Sequence, residues 1–214
     1  MADEFVQRVV EESYISLELM LYPNPQIYHR LKAVFVHIPK TGGTSIERSL
    51  ADGSIVGGHT TALGFRRGYP SLFDEYFKFT VVRHPFDRFV SAYHYLANNP
   101  VSKALNNEVA HSSGSLNEFV KLVGDKPDTV SKVVHLMPQH FFVCDAGGGV
   151  LVDKVYHFDQ LSDSWKDICD RLGLEFKVLP HLNASKHSDC LPLWAHEVIY
   201  NIYLKDFELF GYEP

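Results

Sequence analysis

Two segments of the chain share one plan, and that plan leaves few folds open. The run "AVFVHI", Ala33 to Ile38, is apolar and β-branched, as a buried strand is. It passes through "PKTGGTS" into "SIERSL", which reads as a helix start with Ser45 near the cap. Farther on, "FKFTVV", Phe77 to Val82, enters "RHPFDR" and then "FVSAYHYL", whose apolar residues return at helical spacing. Strand, loop and helix in that order, used twice, predict parallel strands joined by crossover helices.

The remaining elements extend the same scheme. "VDKVYHF" predicts another strand, "SDSWKDICDRLG" a helix closed by Gly173, and "LWAHEVIYNIYLKDFELFG" a long helix ending at Gly211. "FFVCDAGGGVLVD" predicts a hairpin about its glycines, and the polar stretch from Asn98 to Asn117 a loop or lid. Phe5, Val9, Val10, Leu17 and Leu21 suit an amphipathic opening helix that "YPNPQ" ends, because proline cannot continue the hydrogen bonding. The expected fold is therefore α/β: a three-layer, P-loop-like arrangement with a central, largely parallel β-sheet flanked by helices. At 214 residues and 45% hydrophobic, the chain is expected to form one domain over 1–214, with 1–30 as an N-terminal helical extension.

Charge and cysteine usage exclude several function classes. A net charge of -6 with no block of lysines and arginines argues against nucleic acid as a partner, so any anion site must be local. Three cysteines, without a CxxC pair, give neither a zinc site nor a disulfide framework. The acidic opening lacks the pattern of a signal peptide, and no run approaches the length of a membrane span. A cytoplasmic location is expected, or the Golgi lumen for a truncated chain.

The loop "KTGGTS" has the chemistry of a phosphate cradle. A loop feeding a helix N-terminus directs backbone N–H groups and the positive end of the helix dipole to one spot. Gly42 and Gly43 let the backbone approach a ligand, Thr41, Thr44 and Ser45 add hydroxyls, and Lys40 adds a mobile charge. In the nucleotide loop GxxxxGK[ST] the lysine follows the glycines, whereas Lys40 precedes them. A glycine turn capped by Thr44 or Ser45 remains the plainer alternative.

Together, "HIPKTGGTS" and "VVRHPFDRFVSAY" resemble the two cofactor-binding signatures of carbohydrate-type sulfotransferases, the family of heparan and chondroitin sulfotransferases and their soluble bacterial relatives. "GGHTTALGF", "VDKVYHFDQL", "LPHLNASKH" and "DFELFGY" extend the likeness over about 33–212. The resemblance implies 3′-phosphoadenosine 5′-phosphosulfate (PAPS) as co-substrate, with no metal required, and a hydroxyl-bearing acceptor, in particular a sugar. It implies residues 40–45 at the 5′-phosphosulfate, Arg83 and Ser91 at the 3′-phosphate, and Ser185 and Lys186 in a late loop that adds contacts. An arginine fork and a serine hydroxyl suit a phosphate. Arg88 is read as structural, and Phe86, Phe89, Tyr93 and Tyr95 as packing.

Sulfuryl transfer needs a base for the acceptor hydroxyl and positive charge at the departing phosphate. Lys40 suits the second task. His59 is chosen for the first because it follows a glycine pair between the two motifs and matches the family's glycine-histidine segment, with Glu47 as the fallback. His37 is read as a hydrogen-bonded core histidine. Two other functions fit the cradle: a nucleotide-dependent small-molecule kinase, and a nucleotide-binding protein without catalysis.

Overall fold

The chain forms its first strand where the apolar run predicts it, and the rest of the sheet is laid down beside that strand. The structure is a computed structural model that describes residues 25–51, 58–98, 114–180 and 191–214. Two compact units divide the chain: Met1–Arg83 with Gln139–Ala184, and His84–Pro138 with Ser185–Pro214.

The first unit holds a sheet of three strands among the described residues. These are β1, Ala33–Val36; β2, Phe77–Val82; and β3, Lys154–His157, in the order β1-β2-β3. Both pairings are parallel, with Ala33 opposite Phe77 and Phe79 opposite Lys154. β1 is buried at all four positions and β2 at its last four, the continuous apolar burial of a sheet covered on both faces. The Thr80 hydroxyl, fully buried, donates to the Val36 carbonyl at 2.7 Å and ties the two strands near their ends. Helices Pro25–Leu31, Gly43–Leu50, Ala62–Gly68, Pro70–Glu75, His140–Val143 and Leu161–Leu172 complete the unit. The expected α/β fold with a parallel sheet flanked by helices is what forms. Because all three strands run the same way, their C-terminal ends share one edge, and ligands in such sheets bind there.

Several details depart from expectation. β1 ends at Val36, before His37 and Ile38. The "FFVCDAGGGVLVD" segment is not a two-strand hairpin: Phe141–Val143 belong to a short helix, and a single antiparallel bridge joins Cys144 to Val150. Asp145 explains the reversal, since its Oδ1 accepts from the N–H groups of Gly147 and Gly149 and closes a tight local turn. The stretch after His59 forms two short helices, the first capped by the Thr61 hydroxyl, which accepts from Gly64 N–H at 3.0 Å. Gly173 ends the Leu161–Leu172 helix in the left-handed conformation, as expected. Cys144 and Cys169 are buried and unbridged. The opening helix expected over Phe5 to Leu21 lies outside the described residues.

The second unit is helical, built on Pro85–Asn98, Leu116–Asp125, Asp128–Lys132 and Leu193–Phe210. Its core joins Phe89, Leu96, Phe119, Val123, Ile199 and Phe207. Arg88 is buried within it, and its guanidinium donates to the carbonyls of His135 and Met137 within reach of the Asp206 charge, in keeping with a structural residue. Tyr203, where the last helix departs from helical geometry, donates its hydroxyl to the Leu136 carbonyl at 2.6 Å. Phe86 packs on Phe207, and Phe89 and Tyr93 on Phe119, as packing residues do. Gly211 ends the last helix, again left-handed.

Candidate active site

The loop after β1 carries two backbone features that shape it for close approach. Lys40 has a φ of 70° and Gly42 one of 81°, so the chain turns back sharply into the Gly43–Leu50 helix. Gly42, not Ser45, takes the N-cap position, and no side chain caps the helix. The expected hydroxyl cap is absent because the left-handed Gly42 starts the helix three residues before Ser45. The first helical bonds run from Ser45 and Ile46 N–H to the Gly42 carbonyl, so the N–H groups of Gly43 and Thr44 precede the intrahelical ladder. Thr41 is fully buried and its hydroxyl donates to the Ile38 carbonyl at 2.9 Å, which commits that proton to holding the turn.

His37 presses on this loop from one side. A Cβ placed on Gly43 would stand 2.0 Å from His37 Cδ2 and 2.2 Å from Nε2, so only glycine fits beneath the ring. On the other edge His37 Nδ1 approaches Glu47 Oε1 to 3.1 Å, close but not aligned as a hydrogen bond. Burial, helped by the Lys40 charge, lowers the His37 pKa to about 4, and burial raises that of Glu47 to about 8. Near neutral pH both are therefore uncharged.

His59 stands directly on His37. The rings meet edge to face with centroids 4.5 Å apart, and His59 Nδ1 lies 3.0 Å from the His37 carbonyl. A carbonyl only accepts, so Nδ1 carries the proton, and the basic lone pair of the neutral ring sits on Nε2. The tautomer of the expected base is thus set by the backbone of the residue that braces the loop.

Arg83 closes the other side. It directly follows β2, and its Nη1 donates to the Lys40 carbonyl at 3.3 Å. Its guanidinium lies over the Phe158 ring, 4.5 Å from the centroid. Phe158 also backs the loop, since a Cβ on Gly42 would meet its ring at 2.9 Å. Burial, and then the nearby Arg83 charge, bring the Lys40 pKa down to about 8. Gln139, fully buried, brackets the Arg83 backbone: its Oε1 accepts the Arg83 N–H and its Nε2 donates to the Arg83 carbonyl, both at 2.8 Å.

The structure thus gathers Lys40 to Ser45, His59 and Arg83 in the first unit. Ser91 is buried on the Pro85–Asn98 helix of the second unit. Ser185 and Lys186 lie outside the described residues. Arg66 and Arg67 are exposed, as a solvated face would be. Sequence reasoning missed Gln139 and Phe158. A lone glutamine within "LMPQHFF" was the available signal, because a buried amide needs partners.

A family model described as "Sulfotransferase family" matches residues 65–213. The chain belongs to the sulfotransferase family. The family match takes in Arg83, Gln139 and Phe158 and begins after the cradle and His59. Comparison with curated proteins and with solved structures yields no match. Membership makes the chain a transferase of sulfuryl groups in general, for which a hydroxyl-bearing acceptor is the general expectation. Among the described residues, no helix is long and apolar enough to cross a membrane.

Proposed function

We propose that the protein transfers the sulfuryl group of PAPS to a hydroxyl acceptor, in particular a sugar hydroxyl, by direct in-line displacement. The observation that carries this reading is the convergence of Lys40 and Arg83 on one glycine-lined helix start, with Arg83 bonded to the Lys40 carbonyl. Two cations held together in this way favour a ligand with several negative charges. The residues fit such a group: Gly42 and Gly43 let the turn close against Phe158 and His37, and the helix start has no side-chain cap.

PAPS supplies an activated sulfur whose bond to the bridging oxygen breaks as the acceptor oxygen bonds to it. His59 Nε2 would take the acceptor proton, with Nδ1–H held by the His37 carbonyl. Lys40 would stabilise charge developing on the leaving phosphate, and Arg83 would hold the 3′-phosphate. The assignments of Ser91, Ser185 and Lys186 rest on the family resemblance alone. One sulfotransferase domain in the cytoplasm, where Cys144 and Cys169 stay reduced, accords with this reading.

Calorimetric titration of 3′-phosphoadenosine 5′-phosphate (PAP), the spent co-substrate, tests it, with a chelator present and ATP as comparator. Metal-free binding tighter than that of ATP, and sharply weakened but still measurable in Arg83→Ala, supports the reading. ATP preferred only with magnesium restored would point to a kinase and overturn it. PAP binding without sulfate transfer to any sugar acceptor would point to the binder without catalysis.

A further inference from the structure

Gln139 has no place in the chemistry above, yet it makes two short hydrogen bonds to one residue. Its Oε1 accepts from the N–H of Arg83 and its Nε2 donates to the carbonyl of Arg83, each at 2.8 Å. A primary amide bonded in this way imitates the edge of a neighbouring strand. β2 has its last paired residue at Val82, opposite His157, so Arg83 lies one position past the end of the sheet. At such a position the backbone has no ladder to fix its dihedral angles, and the exit direction of the side chain is correspondingly loose. Gln139 supplies the missing partner. It is fully buried, so its amide cannot exchange these bonds for water without opening the unit.

We infer that Gln139 is a positioning residue for Arg83: its side-chain amide extends the sheet by one residue so that the guanidinium leaves the backbone in the direction of Lys40 and Phe158. Among the contacts that hold the arginine are the amide clasp on its backbone, the Lys40 carbonyl at Nη1 and the Phe158 ring beneath its plane. Only the first is independent of the side chain's own conformation. The clasp therefore selects the direction, and the other two contacts refine it. An arginine held in advance loses less freedom when a phosphate binds, which appears directly as affinity.

The inference rests on the reading of Arg83 as the anchor of a 3′-phosphate, and two ligands separate the two ideas. PAP carries that phosphate and adenosine 5′-monophosphate does not. In the full-length protein, Gln139→Met, nearly the same size but without the amide, is expected to weaken PAP binding about tenfold while leaving the monophosphate within about twofold. In an Arg83→Ala background the same substitution is expected to change PAP affinity less than about twofold, because the residue it positions is gone. A loss in PAP affinity that persists in that background, or that extends equally to the monophosphate, overturns the inference. Gln139→Glu, which keeps the acceptor for the Arg83 N–H and loses the donor, serves if the methionine variant does not fold, and is judged by the same ratio of the two ligands. If the wild type binds no PAP, the proposed function fails instead. Amide hydrogen exchange of Arg83 then decides the clasp: protection in the wild type that Gln139→Met abolishes supports it, and equal exchange rates overturn it.

Discussion

Gly43→Ala tests the tightest contact in the site. The added Cβ would stand 2.0 Å from His37 Cδ2 and 2.2 Å from Nε2, where ordinary contact begins at 3.4 Å, so the ring must retreat by about 1.4 Å. It has little room to do so: Phe35 stacks against it with centroids 5.6 Å apart, His59 meets its face, and Glu47 closes the Nδ1 edge. Gly43 is outside the left-handed region, so the conflict is steric alone. Overpacking of this kind costs about 2 kcal/mol, which in a chain of this size lowers Tm by about 4–8 °C. Displacement of His37 also carries its carbonyl, and with it His59, so turnover is expected to fall about a hundredfold. The assay is thermal unfolding of a double-mutant cycle with His37→Ala. Removing the ring makes room for the alanine, so the double variant should be about 1–2 kcal/mol more stable than the sum of its parts. A Gly43→Ala protein with the Tm of the wild type, or a cost that is unchanged in the His37→Ala background, would refute this account of the loop.

Two further substitutions address the neighbouring groups. His59→Asn keeps a donor for the His37 carbonyl but removes the base, so sulfate transfer measured from PAPS should fall by about 10² to 10⁴ while PAP affinity stays within about twofold. Glu47→Gln should change how stability depends on pH. Glu47 holds its proton in the folded state up to about pH 8 and loses it near 4.5 when unfolded, so its stabilisation falls as pH rises toward 8. His37, with a folded pKa of about 4 against 6.5, acts in the opposite direction but only below about 6.5. Between pH 6.5 and 8 the Tm of Glu47→Gln should therefore fall less steeply than that of the wild type; parallel curves in that window would contradict the buried, protonated carboxyl.

Elements whose cause is local were legible in the sequence. β1 and β2 could be read because strands covered on both faces are uninterrupted apolar runs, and Gly173 and Gly211 mark helix ends that require a left-handed residue. The cradle could be read because its glycines and lysine are consecutive. Features made by distant residues could not. Gln139 meets Arg83 across 56 positions, and Phe158 serves the loop only because β3 ends beside it. The hairpin expectation failed at a smaller scale: an aspartate before three glycines directs the turn through its own carboxylate, which strand patterning does not register.

The sheet has a consequence for how the protein comes into being. Its strands meet partners distant in the chain: Ala33 waits for Phe77, and Phe79 waits for Lys154. Among its described strands no two are joined as a hairpin, and each pairing must first meet the entropy of closing a long loop. During synthesis β2 remains with one edge open until β3 has left the ribosome, and the Gln139 clasp and Phe158 come into place only around that moment. The anion site is therefore a late product of folding. Slow refolding, and aggregation of chains truncated before Lys154, are its expected marks.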